Sequence, residues 1–173
     1  MSENPFVIGD VEGFTPQIGR LVGMMRYARR TTLGAVEGLT VAELDHLQDP
    51  ASNTIGSLLL HIAAVEAWYQ ANTFAGREWT PAERARWGIA MDLGDGARQA
   101  IRGYPLEYYG GELEAVRTRT LQELRLRDDA WLALKGPFFD GEVNNYFKWF
   151  HVFEDEINHR GQIRWLRKRL LRR

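Results

Sequence analysis

Apolar residues along this chain recur at intervals of three and four rather than alternating, so helix is predicted almost throughout and no sheet is demanded. Ile18, Leu21, Val22, Met25 and Ala28 trace one stripe. Thr15 ahead of them is an N-cap, Pro16 suits the first helical position and Gly38 is a stop, which gives a first long helix to about Val36. Thr40 with Glu43 forms a capping box for a short helix to about Leu47. Asp49-Pro50 and Asn53 break that helix, and a second long one follows from roughly Thr54 to Phe74. Thr80, Pro81 and Glu83 repeat the capping signals before a short helix over Glu83 to Ile89. Asp92 to Gly96 reads as a loop and residues 97–103 as a turn of helix, with Pro105 and Gly110-Gly111 as a further break. The third long helix is predicted over Glu112 to Leu126. A connection from Asp128 to Gly141 holds one amphipathic turn around Trp131, Leu132 and Leu134, and the last helix runs from about Val143 to Leu171.

Four long helices, each with an apolar stripe, bury those stripes together as an all-α four-helix bundle, here one domain over residues 1–173. The long connection between the second and third, residues 75–110, suits a crossover or a lid. The 173 residues are 45% apolar and 26% charged, ordinary for a globular chain. There is no cysteine, which excludes disulfides, thiolate metal sites and a cysteine nucleophile and is compatible with a reducing compartment. The first ten residues lack the basic start and apolar run of a signal peptide, and no stretch is long enough to span a bilayer, so a cytoplasmic protein is expected. A net charge of −1 gives no field toward nucleic acid or acidic membranes. Arg164, Arg167, Lys168, Arg169, Arg172 and Arg173 crowd the C-terminus, where cations complement the helix dipole; a nucleic-acid role is the weaker reading.

Any metal must then be held by nitrogen and oxygen. At about 100° per residue, Asp155 lies near 40° and His159 near 80° from His151 on the last helix, whose apolar arc covers roughly 60° to 260°. His159 falls inside the arc, Asp155 at its edge and His151 outside. An i, i+4 pair such as Asp155 and His159 converges on one point, whereas His151 and His159 are about 12 Å apart along the axis and do not share an ion readily. His61, the only histidine of the second helix, flanks that helix's stripe near Leu58, Val65 and Trp68. Two imidazoles and a carboxylate would leave positions open on zinc, nickel, iron or manganese. Against this stand simpler readings: core-edge histidines satisfied by hydrogen bonds, and an ordinary Asp155–His159 ion pair. Glu156 and Arg160 form another i, i+4 pair, expected to pair with each other or across a subunit interface. His151, Gln162 and Glu156 are the candidates for groups surrounding the ligands. Trp149, Phe150, Phe153 and Trp165 suit core or dimer contacts better than a substrate box.

The string DEINHRGQI, preceded by HVFE and followed by RWLRKRL, resembles the final helix of the DinB-like metalloprotein superfamily. SLLLHIAAVEAWY is similar to that superfamily's second helix with its single ligand histidine. The resemblance covers most of the chain, and only in outline between these segments. It implies a four-helix bundle, often dimeric, with His61, Asp155 and His159 as the metal ligands. Many relatives carry histidine where Asp155 stands; a carboxylate there resembles the branch of mycothiol-dependent maleylpyruvate isomerase. Characterised members include transferases and isomerases that use mycothiol or bacillithiol. The resemblance therefore implies a metal-dependent enzyme acting on a small molecule, foremost a thiol-dependent S-transferase whose cosubstrate supplies the sulfur. A hydrolase, or a non-catalytic metal-binding stress or interaction protein, is the alternative, the latter favoured by the absence of an obvious general base beside the ligands.

Overall fold

The computed structural model describes residues 4–138 and 141–170; Leu171, Arg172 and Arg173 of the expected helix end and basic tail lie outside them. Four long helices, α1 (Pro16–Val36), α3 (Ile55–Tyr69), α6 (Leu106–Leu124) and α8 (Asn145–Leu170), make the bundle. The shorter α2 (Val41–Leu44), α4 (Pro81–Asp92), α5 (Gly94–Ala100) and α7 (Asp129–Ala133) fill the connections. α3 packs against α6, α8 and α4, while α8 also lies along α1. Residues Ile55 to Glu66 of α3 are all buried, which explains why this helix is apolar on every side. The expected all-α bundle is therefore what forms.

Local signals set most boundaries. Thr40–Glu43 and Thr80–Glu83 both form reciprocal capping boxes. Thr15 stands at the N-cap of α1, but its hydroxyl does not cap that helix. It donates to Asp129 of α7, whose carboxylate also accepts from the Gln17 and Ile18 amides at 3.1 and 3.2 Å. A residue more than a hundred positions away thus satisfies the orphan donors of α1. At the other end, Arg167 of α8 donates to the Ala35 and Glu37 carbonyls, so one of the tail cations closes α1.

Three expectations fail. Gly110-Gly111 does not break the chain: α6 starts at Leu106 behind Pro105 and runs through both glycines, held by buried Tyr109 and Leu113 on either side. Asp92–Gly96 is not a loop; the chain turns through Leu93 and Gly94, at φ 55° and 69°, between α4 and α5. A small antiparallel hairpin, β1 (Lys135–Phe138) with β2 (Gly141–Asn144), pairs Lys135 with Asn144 and Phe138 with Gly141 where an irregular connection is predicted. After Tyr69 the third-helix backbone widens into one π turn, Gln70–Phe74.

Two apolar clusters meet inside the bundle. One joins α3, α4, α6 and the end of α8; the other joins α1, the start of α8 and α7. Where the four long helices pass from one cluster to the other, each contributes a buried charge. Arg29 and Arg117 each bind both Glu66 and Glu156, with contacts of 2.8 to 3.2 Å. Their remaining donors reach the Leu113 and Met25 carbonyls at 2.6 and 2.9 Å. Two cations and two anions cancel there, and the hydrogen bonds meet the condition for burying them. The hydrogen bonds of Glu156 thus go to Arg29 and Arg117 rather than to Arg160, which donates to Thr31 instead. One residue past Asp155 the helix has turned by about 100°, and that rotation points Glu156 into the bundle centre.

Candidate metal centre

His61 lies mid-way along α3, and Asp155 and His159 are one turn apart on α8, the helix packed against it. The two histidine rings stand edge to face with centroids 4.7 Å apart. Asp155 Oδ1 is 3.3 Å from His159 Nε2, and its Oδ2 is 4.0 Å from His61 Nε2. One donor atom from each of the three residues falls within 4.8 Å of the others. Two donors bound at about 2.1 Å to one tetrahedral ion are about 3.4 Å apart, so a gap as wide as 4.8 Å has to close by somewhat more than an ångström.

Three features fit a cation at this point. His61 Nδ1 is 3.0 Å from the Ala90 carbonyl of α4; its N–H donates there, which fixes the tautomer and leaves the Nε2 lone pair facing Asp155. Burial holds the His61 pKa below its usual value, outweighing the pull of the Asp155 charge, so the ring is the neutral species a metal needs. Asp155 Oδ2 and His159 Nδ1 are buried and have no hydrogen-bond partner, an arrangement that a folded chain rarely leaves unexplained.

A cavity of about 520 Å³ opens beside this group, walled by Val65, Trp68, Tyr69, Trp79, Phe138 and His151. Val65 is one turn on from His61, His151 one turn before Asp155, and Met91, also in the wall, follows Ala90. Tyr69 Oη lies 3.4 Å from His151 Nδ1. Burial, reinforced by the charges of Asp155 and Glu154, pushes the Tyr69 pKa well above the usual phenol range, so Tyr69 remains a hydroxyl donor. His151, outside the apolar arc of the wheel, is half-buried here and part of the cavity wall. Gln162 is exposed and lines a separate groove with Asn53, Leu58 and Trp165, without a hydrogen bond to the three ligand candidates. Trp149 and Phe153 are buried core, whereas Phe150 and Trp165 are exposed.

Sequence reasoning missed Tyr69, Asn72, Lys148 and the Ala90 carbonyl. Tyr69 had a signal: eight residues from His61, it falls about 80° away on the same helix. Asn72 sits on the π turn, where a regular wheel misplaces it. Lys148 donates to Asn72 Oδ1 at 2.8 Å and carries no mark in the sequence. The connecting segment expected as a crossover or lid lies along α3 and supplies Ala90, Trp79 and Met91. No helix among the described residues is long and apolar enough to cross a membrane.

A conserved protein from Enterococcus faecalis with a known crystal structure has the same fold. Its TM-score is 0.64 at 15% identity, over 88% of this chain and 96% of that one. No curated protein matches the sequence. A family model described as mycothiol-S-transferase matches residues 20–171, all of the bundle but the first turn of α1 and including both helices of the candidate centre, and the chain belongs to this DinB-like family.

Proposed function

We propose that the protein is a metal-dependent transferase that joins a low-molecular-weight thiol, foremost mycothiol, to a small electrophile, with His61, Asp155 and His159 holding the ion. The observation that carries this reading is the orphaned buried pair, Asp155 Oδ2 and His159 Nδ1, beside an aromatic-walled cavity in a chain of a mycothiol-S-transferase family. His61, Asp155 and His159 would hold a divalent ion such as zinc, nickel, iron or manganese, and it would favour the thiolate form of a thiol. The cosubstrate brings the sulfur, which is why the chain does its chemistry without cysteine.

The residues divide the remaining work. Ala90 keeps His61 Nε2 deprotonated and aimed at the centre. Trp68, Trp79 and Phe138 hold the apolar body of the electrophile and exclude water. The new bond forms between sulfur and the electrophilic carbon, and the leaving group departs with the electron pair of the bond that breaks. Tyr69, kept protonated, donates a hydrogen bond to the charge that develops there, and His151 beside it takes up the thiol proton.

Zinc-loaded protein mixed with mycothiol and 1-chloro-2,4-dinitrobenzene should form the conjugate well above the uncatalysed rate and lose that rate with His61→Ala. Conjugation at the uncatalysed rate with both mycothiol and bacillithiol, together with cleavage of ester or amide substrates, would replace transfer by hydrolysis.

A further inference from the structure

Behind the wall of the cavity, at the end away from the candidate metal centre, a charge that the transfer reaction leaves unused bonds to the lining residue Asn72. Lys148 is only 4% exposed, yet no carboxylate among the described residues pairs with it. Among the described residues its one hydrogen bond goes to the neutral Oδ1 of Asn72, so two of three ammonium donors lack an acceptor there. Burial lowers its pKa, as expected of a cation removed from water without a counterion. Its position adds to the strain: it lies in the first turn of α8, a turn with no acidic residue, where the helix dipole already presents positive charge. A side chain needed only for packing would be methionine or leucine.

The surroundings connect this cation to the cavity. Asn72 and Pro137 both line it, and a Cβ on neighbouring Gly136 would sit 3.5 Å from Lys148 Nζ. His151, three residues on along the same helix, lines it too. With Oδ1 turned to Lys148, Asn72 offers its amide hydrogens as donors to a ligand. The formal charges of the lining itself, Glu78 and Arg84, are exposed and opposite in sign, so the buried lysine behind Asn72 sets the sign of charge that the inner end favours.

We propose that Lys148 and Asn72 form a carboxylate subsite, and that the electrophile accepted by the proposed transferase is a small apolar molecule bearing a carboxylate. This rests on the transferase reading for the reaction and on the cavity alone for the binding. Lys148 and Asp155 are two helical turns apart, about 10 Å along the axis. A carboxylate held at Lys148 therefore leaves the apolar body against Trp68, Tyr69 and Phe138 and the reactive carbon toward the candidate metal centre.

Calorimetric binding to zinc-loaded protein without any thiol tests the subsite separately from catalysis. The probes are 4-methylbenzoate and its neutral isostere 4-methylbenzamide. Wild type should prefer the acid by about ten-fold, the scale of one charge-assisted contact. Lys148→Met should bring the preference close to unity without lowering the melting temperature, and Asn72→Leu should reduce it. The matched alkylating pair, 4-(chloromethyl)benzoate and its amide, should then differ in KM, with the difference lost in Lys148→Met. Equal affinity of wild type for acid and amide would overturn the subsite. So would an acid preference that survives Lys148→Met, which would locate the carboxylate on the metal. Should Lys148→Met not fold, wild-type crystals with 4-bromobenzoate decide: the bromine signal must lie toward the candidate metal centre and the carboxylate against Asn72, and the reverse orientation refutes the proposal. Loss of the transfer reaction with the acid preference intact would sink the transferase reading alone.

Discussion

Replacing His159 by phenylalanine should act very differently on the metal-free and the metal-loaded protein. In the metal-free protein, His159 Nδ1 is buried without a partner, a defect worth roughly 1–3 kcal/mol that phenylalanine removes. The substitution keeps an aromatic ring against His61, where the present centroid distance is 4.7 Å. It gives up the 3.3 Å contact with Asp155 Oδ1, worth roughly 1.5–3 kcal/mol if charge-assisted. The two nearly offset, and the metal-free variant should lie within about 1 kcal/mol of wild type. Zinc at a hundred times its Kd should stabilise wild type by about 2.7 kcal/mol. For a chain of 173 residues that corresponds to a melting shift of roughly 5–11 °C. With one donor of three removed, His159→Phe should show almost none of this shift, while His46→Phe, away from the centre, should keep it all. Differential scanning calorimetry in chelator and across a zinc titration, with elemental analysis of the dialysed protein, reads both quantities. A zinc shift that survives in His159→Phe, or a metal-free variant destabilised by more than about 2 kcal/mol, would reduce the three residues to an ordinary polar cluster.

The buried charge network and the α3–α6 contact give three further tests. Glu156→Gln leaves two arginines facing Glu66 alone and should lower urea stability by about 3–5 kcal/mol, against less than about 0.5 for the more exposed Glu154→Gln; comparable losses in the two would refute the network's role. Burial by itself would raise the Glu66 pKa, but Arg117 and Arg29 hold it below the ordinary carboxylate value. The stability it contributes is therefore present above the unfolded value near 4.3 and lost as pH falls through the depressed folded one, and urea midpoints measured from pH 6 to pH 3 should fall in wild type. A Cβ at Gly56 would stand 2.5 Å from Tyr109 Oη, a buried hydroxyl without a partner. Gly56→Ala should cost about 1–3 kcal/mol, and adding Tyr109→Phe should recover only part of it, because the ring carbon Cζ would still stand 2.8 Å from the new Cβ; fully additive losses would show that the contact is not the cause.

What could be read from the residues was what is decided locally. Thr40–Glu43 and Thr80–Glu83 mark their helices because a capping box closes within four residues. The i, i+4 spacing of Asp155 and His159 and their side of α8 follow from helix geometry alone. Gly110-Gly111 misled because intrinsic propensity, about 1 kcal/mol per glycine, yields to the buried packing of Tyr109 and Leu113. The hairpin strands Lys135–Phe138 and Gly141–Asn144 have only four residues each, too short for a period-two signal. The Asp129 cap of α1, the Ala90 carbonyl on His61 and the Lys148–Asn72 contact all pair residues more than 25 positions apart, and a single sequence has no local trace of them.

The same division explains how a centre split between two helices acquires a defined geometry. His61 and Asp155 approach to 4.0 Å only if α3 and α8 keep one axial register, and apolar packing alone tolerates slippage and repacking. Glu66 is five residues beyond His61, and Glu156 is the immediate neighbour of Asp155. Each of the two buried arginines bridges these glutamates, so two fork-shaped cations span the α3–α8 gap about one turn from the candidate ligands. A slip of either helix by one residue would move it about 1.5 Å along its axis and turn it by about 100°, stranding a charge in the interior at several kcal/mol. The network thus fixes the register of α3 and α8, and that register carries His61 to within reach of Asp155 and His159.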